Sequence, residues 1–145
     1  MGKIMIIKGA DFSQNAIVRD FIEMPLMQSF YALTTGSVNE STYRFGFLSL
    51  LNLKQGQTIT IKGLANVHDK PLYVEWVRYA SPTPSTSTFV DTSNSSFINN
   101  YEGNDVFTFE IDTDGYYGFS FANDPTKNTT ECLINDYAPI SYCIE

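Results

Sequence analysis

The chain has 145 residues, 43% of them hydrophobic and 14% aromatic, which is one domain (residues 1–145) with enough apolar material for a two-layer core and excludes wholesale disorder. Sixteen acidic residues against nine basic ones leave a formal charge of −7, with no two basic residues adjacent. Nucleic acid, which is bound largely through phosphate neutralisation, is thereby a poor partner, and the charge serves solubility.

In chain order, Lys3 to Lys8 reads as a strand. Its apolar run Ile4 to Ile7 is too short for a signal peptide or a membrane span, so membrane insertion is not expected and synthesis in a cytoplasm is. Asp11, Ser13 and Asn15 can hydrogen-bond their own backbone and shape a turn. Ile17 to Leu33 is apolar without a clean period, and Pro25 disfavours helix at Met24 and cannot donate to a central ladder, so a short element is expected on each side. Tyr43 to Leu53 starts as an alternation and becomes continuous at Phe47-Leu48, the pattern of a strand that bends or ends inside the core. Lys54 to Gln57 is a turn, and Thr58 to Lys62 is a short β-branched strand.

Leu72 to Ala80 is the most aromatic strand, with Tyr73, Glu75, Val77 and Tyr79 on one side and Leu72, Val74, Trp76 and Arg78 on the other. Ser81 to Thr88, rich in proline and hydroxyl residues, reads as a long exposed connection that crosses between sheets. Phe89-Val90 and Ser96 to Ile98 are edge candidates. Phe107 to Ile111 and Tyr117 to Phe121 both alternate around the turn Asp112 to Gly115, which predicts a β-hairpin with one buried face. A broken strand from Cys132 to Ile144 surrounds Pro139. The sum is an all-β, antiparallel β-sandwich of about eight to ten strands with no helix beyond about three turns. Its expected core is Ile59, Ile61, Val74, Trp76, Phe107, Phe109, Ile111, Tyr117, Phe119 and Phe121.

Chemistry is sparse along the chain. His68, the single histidine, sits beside Asp69 in a polar loop with no nucleophile motif nearby and reads as a surface residue. Asp112-x-Asp114-Gly115 resembles the start of a calcium loop but lacks the later ligands at the right spacing, so it reads as a turn. Glu75, Asp105 and Glu110 are acidic residues that could converge for glycoside hydrolysis, yet nothing singles out a pair. Cys132 and Cys143 lack a CxxC spacing and read as free, partly buried thiols. The sequons at Asn39, Asn94 and Asn128 are chance in a Ser/Thr/Asn-rich chain. No catalytic residue, metal site or cofactor is expected.

The aromatic residues are the stronger feature, because ring faces stack on sugars. Trp76, Arg78 and Tyr79 in one strand and Tyr116 in another are the candidate ligand-binding residues. Trp76 shares its face with Val74 and Leu72 and is expected in the core, whereas Tyr79 and Tyr116 are expected to be exposed.

The opening Ile6-Ile7-Lys8-Gly9-Ala10-Asp11-Phe12-Ser13-Gln14-Asn15-Ala16 resembles a KGADFSxNA opening of structural proteins from tailed phages and prophages of Bacteroidetes gut bacteria, including crAss-like phages. Gly56 to Gly63, Val74 to Ala80 and Asp114 to Phe121 resemble the jelly-roll modules of such virion proteins. The resemblance implies a jelly-roll-like sandwich in a head fibre, decoration or tail-associated protein, located in the virion, and it transfers no ligand residue. The expected protein is a non-enzymatic virion surface protein that binds other virion proteins and touches host glycans. The alternative is a free-standing bacterial carbohydrate-binding module of the same fold. Self-association, with a trimer favoured, is expected because Phe12, Ile17, Phe21, Ile22, Leu26 and Met27 form an irregular apolar segment suited to packing on neighbours, and small sandwiches have edges to cover.

Overall fold

The computed structural model describes residues 20–64, 72–93, 105–123 and 130–145. The expected strand Lys3 to Lys8, the KGADFSxNA opening, Phe12, Ile17, His68, the edge candidate Ser96 to Ile98 and the sequons at Asn94 and Asn128 lie outside them.

Twelve strands run through the described residues: β1 (Ile22–Glu23), β2 (Leu26–Met27), β3 (Ser29–Tyr31), β4 (Val38–Glu40), β5 (Phe45–Phe47), β6 (Leu51–Leu53), β7 (Thr58–Lys62), β8 (Tyr73–Tyr79), β9 (Phe89–Thr92), β10 (Val106–Glu110), β11 (Gly115–Ala122) and β12 (Ser141–Ile144). The count exceeds the expected eight to ten because the irregular stretches break into pieces of two or three residues. A single 3-10 turn, Ile134–Asp136, is the only helical element among the described residues.

One sheet has the order β1-β12-β7-β10 and the other β2-β5-β11-β8-β9, with β6 also on β11; all pairings are antiparallel. The pairs nest along the chain: β8 with β9, then β7 with β10, then β5 and β6 with β11, then β1 with β12. A ribbon rolled up in this way is a jelly-roll sandwich. Pro25 falls where the chain leaves the first sheet for the second, so the break at Met24-Pro25 is a change of sheet. Leu48 to Leu50 is the bend that lets β5 and β6 pair with the two halves of β11.

Two connections differ from expectation. β10 and β11 do not form a hairpin: β10 pairs with β7, from Val106↔Lys62 to Glu110↔Thr58, while β11 lies in the other sheet against β8. Alternation specifies which face is buried but not which strand lies alongside, and two strands with matching inward faces can face each other across a core. The Ser81 to Thr88 connection conversely stays within one sheet. Its hydroxyls close it on itself: Thr88 Oγ1 donates to the Thr83 carbonyl at 2.8 Å, and the Ala80 N–H donates to the Thr88 carbonyl at 2.8 Å, returning the chain to pair β9 with β8.

The expected core residues face inward. Ile59, Ile61, Val74, Phe119 and Phe121 are fully buried, and Phe107, Ile111 and Tyr117 nearly so, with Trp76 and Phe109 partly buried against them. Phe45 and Phe47 join this core, Phe47 packing edge-on to Phe121 at 5.1 Å.

A third layer was not legible in advance. The β3–β4 hairpin folds over the outer face of the second sheet and encloses a smaller core of Tyr31, Val77 and Tyr79. It can lie this close because Gly118 and Gly46 are bare beneath it: a Cβ at Gly118 would stand 2.7 Å from the Tyr31 ring, and one at Gly46 would stand 3.2 Å from the Ser29 carbonyl. The Tyr31 hydroxyl donates to the Phe47 carbonyl at 2.6 Å, and the Tyr31 N–H donates to Ser120 Oγ at 3.0 Å.

Candidate functional site

The four expected ligand-binding residues fall on both faces of the second sheet. Side chains alternate along β8, so Trp76 and Arg78 point between the sheets and Tyr79 points outward. Tyr79 is nevertheless fully buried, which corrects its expected exposure. The β3–β4 hairpin covers it, its hydroxyl donates to the Gly36 carbonyl at 2.6 Å, and its ring meets Tyr31 edge-on at 6.0 Å. Desolvation holds its phenol well above the usual tyrosine range. Tyr116 pairs with Tyr79 across β11 and β8 and is half-buried against the same small core, which corrects its expected exposure too. The Tyr79 ring offers no face to solvent, and the Tyr116 ring is partly covered.

Trp76 stacks on Phe109 at 5.8 Å and 29°, and meets Tyr117 edge-on at 5.1 Å. Its indole nitrogen is buried without a hydrogen-bond partner among the described residues. Arg78 closes this end of the sandwich. Its guanidinium grips Asp91 through two bonds of 2.8 and 2.7 Å and donates to the Asp114 carbonyl at 3.1 Å. The Asp91 hydrogen bond raises the already high pKa of Arg78. These contacts make Arg78 a clamp between β8, β9 and the start of β11, committed to its own chain.

The acidic candidates do not meet. Glu75 is fully buried on the outer face of the second sheet, 3.0 Å from Arg44, whose guanidinium lies 3.3 Å over the Phe30 ring. Asp105 and Glu110 belong to the first sheet, at and within β10. Asp112 to Gly115 is a connection between sheets, where Asp114 Oδ1 accepts the Gln55 N–H at 2.8 Å and Tyr117 donates to the Thr113 carbonyl at 2.6 Å. No group of three or more His, Cys, Asp or Glu side chains that could hold a metal ion occurs among the described residues. Cys132 and Cys143 are buried and form no disulfide with each other, and burial pushes the Cys132 thiol up to about 12, out of the reactive range.

The structure also forms a surface depression that no sequence signal marked. It has a volume of about 520 Å³ and is lined by Gln28, Ser29, Glu40, Ser41 and Thr42. Gln28-Ser29 and Glu40-Ser41 are brought together by hairpin pairing, Ser29 opposite Glu40, so these polar residues became neighbours only once β3 and β4 joined. Comparison of the chain with protein-family models, curated proteins and solved structures finds no match.

Proposed function

We propose that the chain is a non-enzymatic structural protein on the surface of a tailed-phage virion, a fibre, decoration or tail-associated subunit that assembles with itself and with other virion proteins and touches host-surface glycans. The observation that carries the virion context is the likeness of Ile6 to Ala16 to the KGADFSxNA opening. The nested jelly-roll pairing is compatible with it, since this architecture serves virion and lectin domains alike, and fold by itself does not select between them. The pairing of the polar side chains supports a structural role: Glu75 binds Arg44, Arg78 binds Asp91, and Asp114 caps a turn.

Virions produced by the host or prophage that carries the gene provide the test. Particles purified through a density gradient are digested and their peptides identified by mass spectrometry. Peptides of this chain co-sedimenting with infectious particles are the expected result. Their restriction to the unassembled fraction, or to the bacterial surface, overturns the reading and favours the free-standing carbohydrate-binding module.

A further inference from the structure

We propose that the depression between the β3–β4 hairpin and the Ser41–Arg44 segment binds a neutral sugar unit, an inference that rests on the glycan contact in the reading above. Its volume of about 520 Å³ is within the range of small-molecule sites. Its floor is held from three parts of the chain. Gln28 Nε2 donates to the carbonyls of Arg44 at 3.1 Å and Cys132 at 2.9 Å, and Gln28 Oε1 accepts the Ile134 N–H at 3.1 Å. Both amide hydrogens of Gln28 are thus taken by the protein, which holds the side chain in place at the site and leaves one lone pair of Oε1 for a ligand.

The rest of the lining has capacity to spare. The hydroxyls of Ser29 and Thr42 and the carboxylate of Glu40 make no hydrogen bond to another described residue. Two groups that both donate and accept, beside one that accepts strongly, match the repeated hydroxyls of a sugar ring. Tyr43 follows Thr42 directly and is among the exposed large hydrophobic residues, its backbone N–H fixed to Ser41 Oγ at 2.9 Å. Its ring is exposed next to the lining segment in the chain, an aromatic surface of the kind on which the C–H face of a sugar stacks. Glu40 supplies the charge selectivity. The lining contains no Lys or Arg, the nearby Arg44 is engaged by Glu75 and Phe30, and the whole chain carries −7, so uronic and sialic acids are repelled.

Titrating the ¹⁵N-labelled chain with glucose, galactose, mannose and N-acetylglucosamine, and separately with glucuronic and N-acetylneuraminic acid, tests the site. Saturable shifts are expected at Ser29 and Glu40 to Tyr43 with at least one neutral sugar and with neither acid. Glu40→Gln, which keeps the shape, is expected to weaken that association about tenfold, and Thr42→Val to weaken it measurably, with the remaining spectrum unchanged. The site is overturned if no neutral sugar gives saturable shifts up to about 50 mM, if the shifts map to Trp76, Arg78 and Tyr116 instead, or if neither substitution weakens them. The two readings fail separately. A chain present in particles whose depression is silent loses this site alone, and a sugar-binding chain absent from particles loses the virion position alone.

Discussion

The buried polar side chains decide much of the chemistry a single residue shows. Tyr31 and Tyr79 are held well above the ordinary phenol range by desolvation, and Tyr117 and Tyr137 are pushed up to about 12 by the same cause. Because their folded pKa values exceed the unfolded value near 10, the stability they contribute is intact below pH 10 and is lost as pH rises from there through the folded values, at about 1.4 kcal/mol per pH unit for each. Absorbance at 295 nm should therefore show Tyr31, Tyr79, Tyr117 and Tyr137 ionising only as the protein unfolds in alkali. A smooth titration of all nine tyrosines near pH 10 would show the buried positions to be misassigned. Arg44 and Glu75 give a second test at this scale. Arg44→Met removes the cation facing a carboxylate that solvent cannot reach, and is expected to cost about 3–5 kcal/mol in urea denaturation, while Arg44→Met with Glu75→Leu should recover most of that loss.

Among the elements, β10 and the β3–β4 hairpin have the most to say. Phe109 packs its ring on Trp76 from the opposite sheet while remaining partly exposed, so Phe109→Ala should destabilise by about 3 kcal/mol, the lower end for a buried aromatic deletion. A change near zero in the chemical midpoint would mean that β10 turns its other face inward. The hairpin depends on the bare backbone beneath it. Gly118→Ala places a methyl group against the Tyr31 ring, and the expected cost is about 1–3 kcal/mol. Hydrogen exchange locates that cost: amides of Ser29 to Tyr31 and Val38 to Glu40 should lose protection, while those of β7 and β8 keep it. Loss of protection throughout would instead make the hairpin part of the sandwich's single cooperative unit.

At the scale of the whole molecule, the sandwich has edges. Among the described residues β1 and β10 flank the first sheet and β2 and β9 the second, and Ile22, Val90 and Val106 on these strands are substantially exposed. Edge strands with unpaired main-chain groups and apolar side chains favour association, and closed symmetry would cover them. Light scattering over a range of concentrations is expected to give a mass above the 16.3 kDa of one chain, three times that value in a fibre-like trimer. A constant mass near 16.3 kDa would remove self-association.

The all-β class, the inward faces and most of the core were legible in the order of residues, because the apolar alternation of Thr58 to Lys62, Phe107 to Ile111 and Tyr117 to Phe121 must bury one face whatever the topology. Lateral pairing was not legible, since main-chain hydrogen bonds are common to all residues: the alternation of β10 and β11 serves a hairpin and a face-to-face packing equally, and only the roll of the whole chain set them in opposite sheets. The same limit explains the site. Tyr79 on an outward face looks exposed in a two-layer sandwich, and it became buried because a distant hairpin, admitted by Gly46 and Gly118, folded over it. Gln28, Ser29, Glu40 and Thr42 acquired a shared surface by that same fold, since contact between residues far apart in the chain is a property of the packed structure rather than of any local pattern.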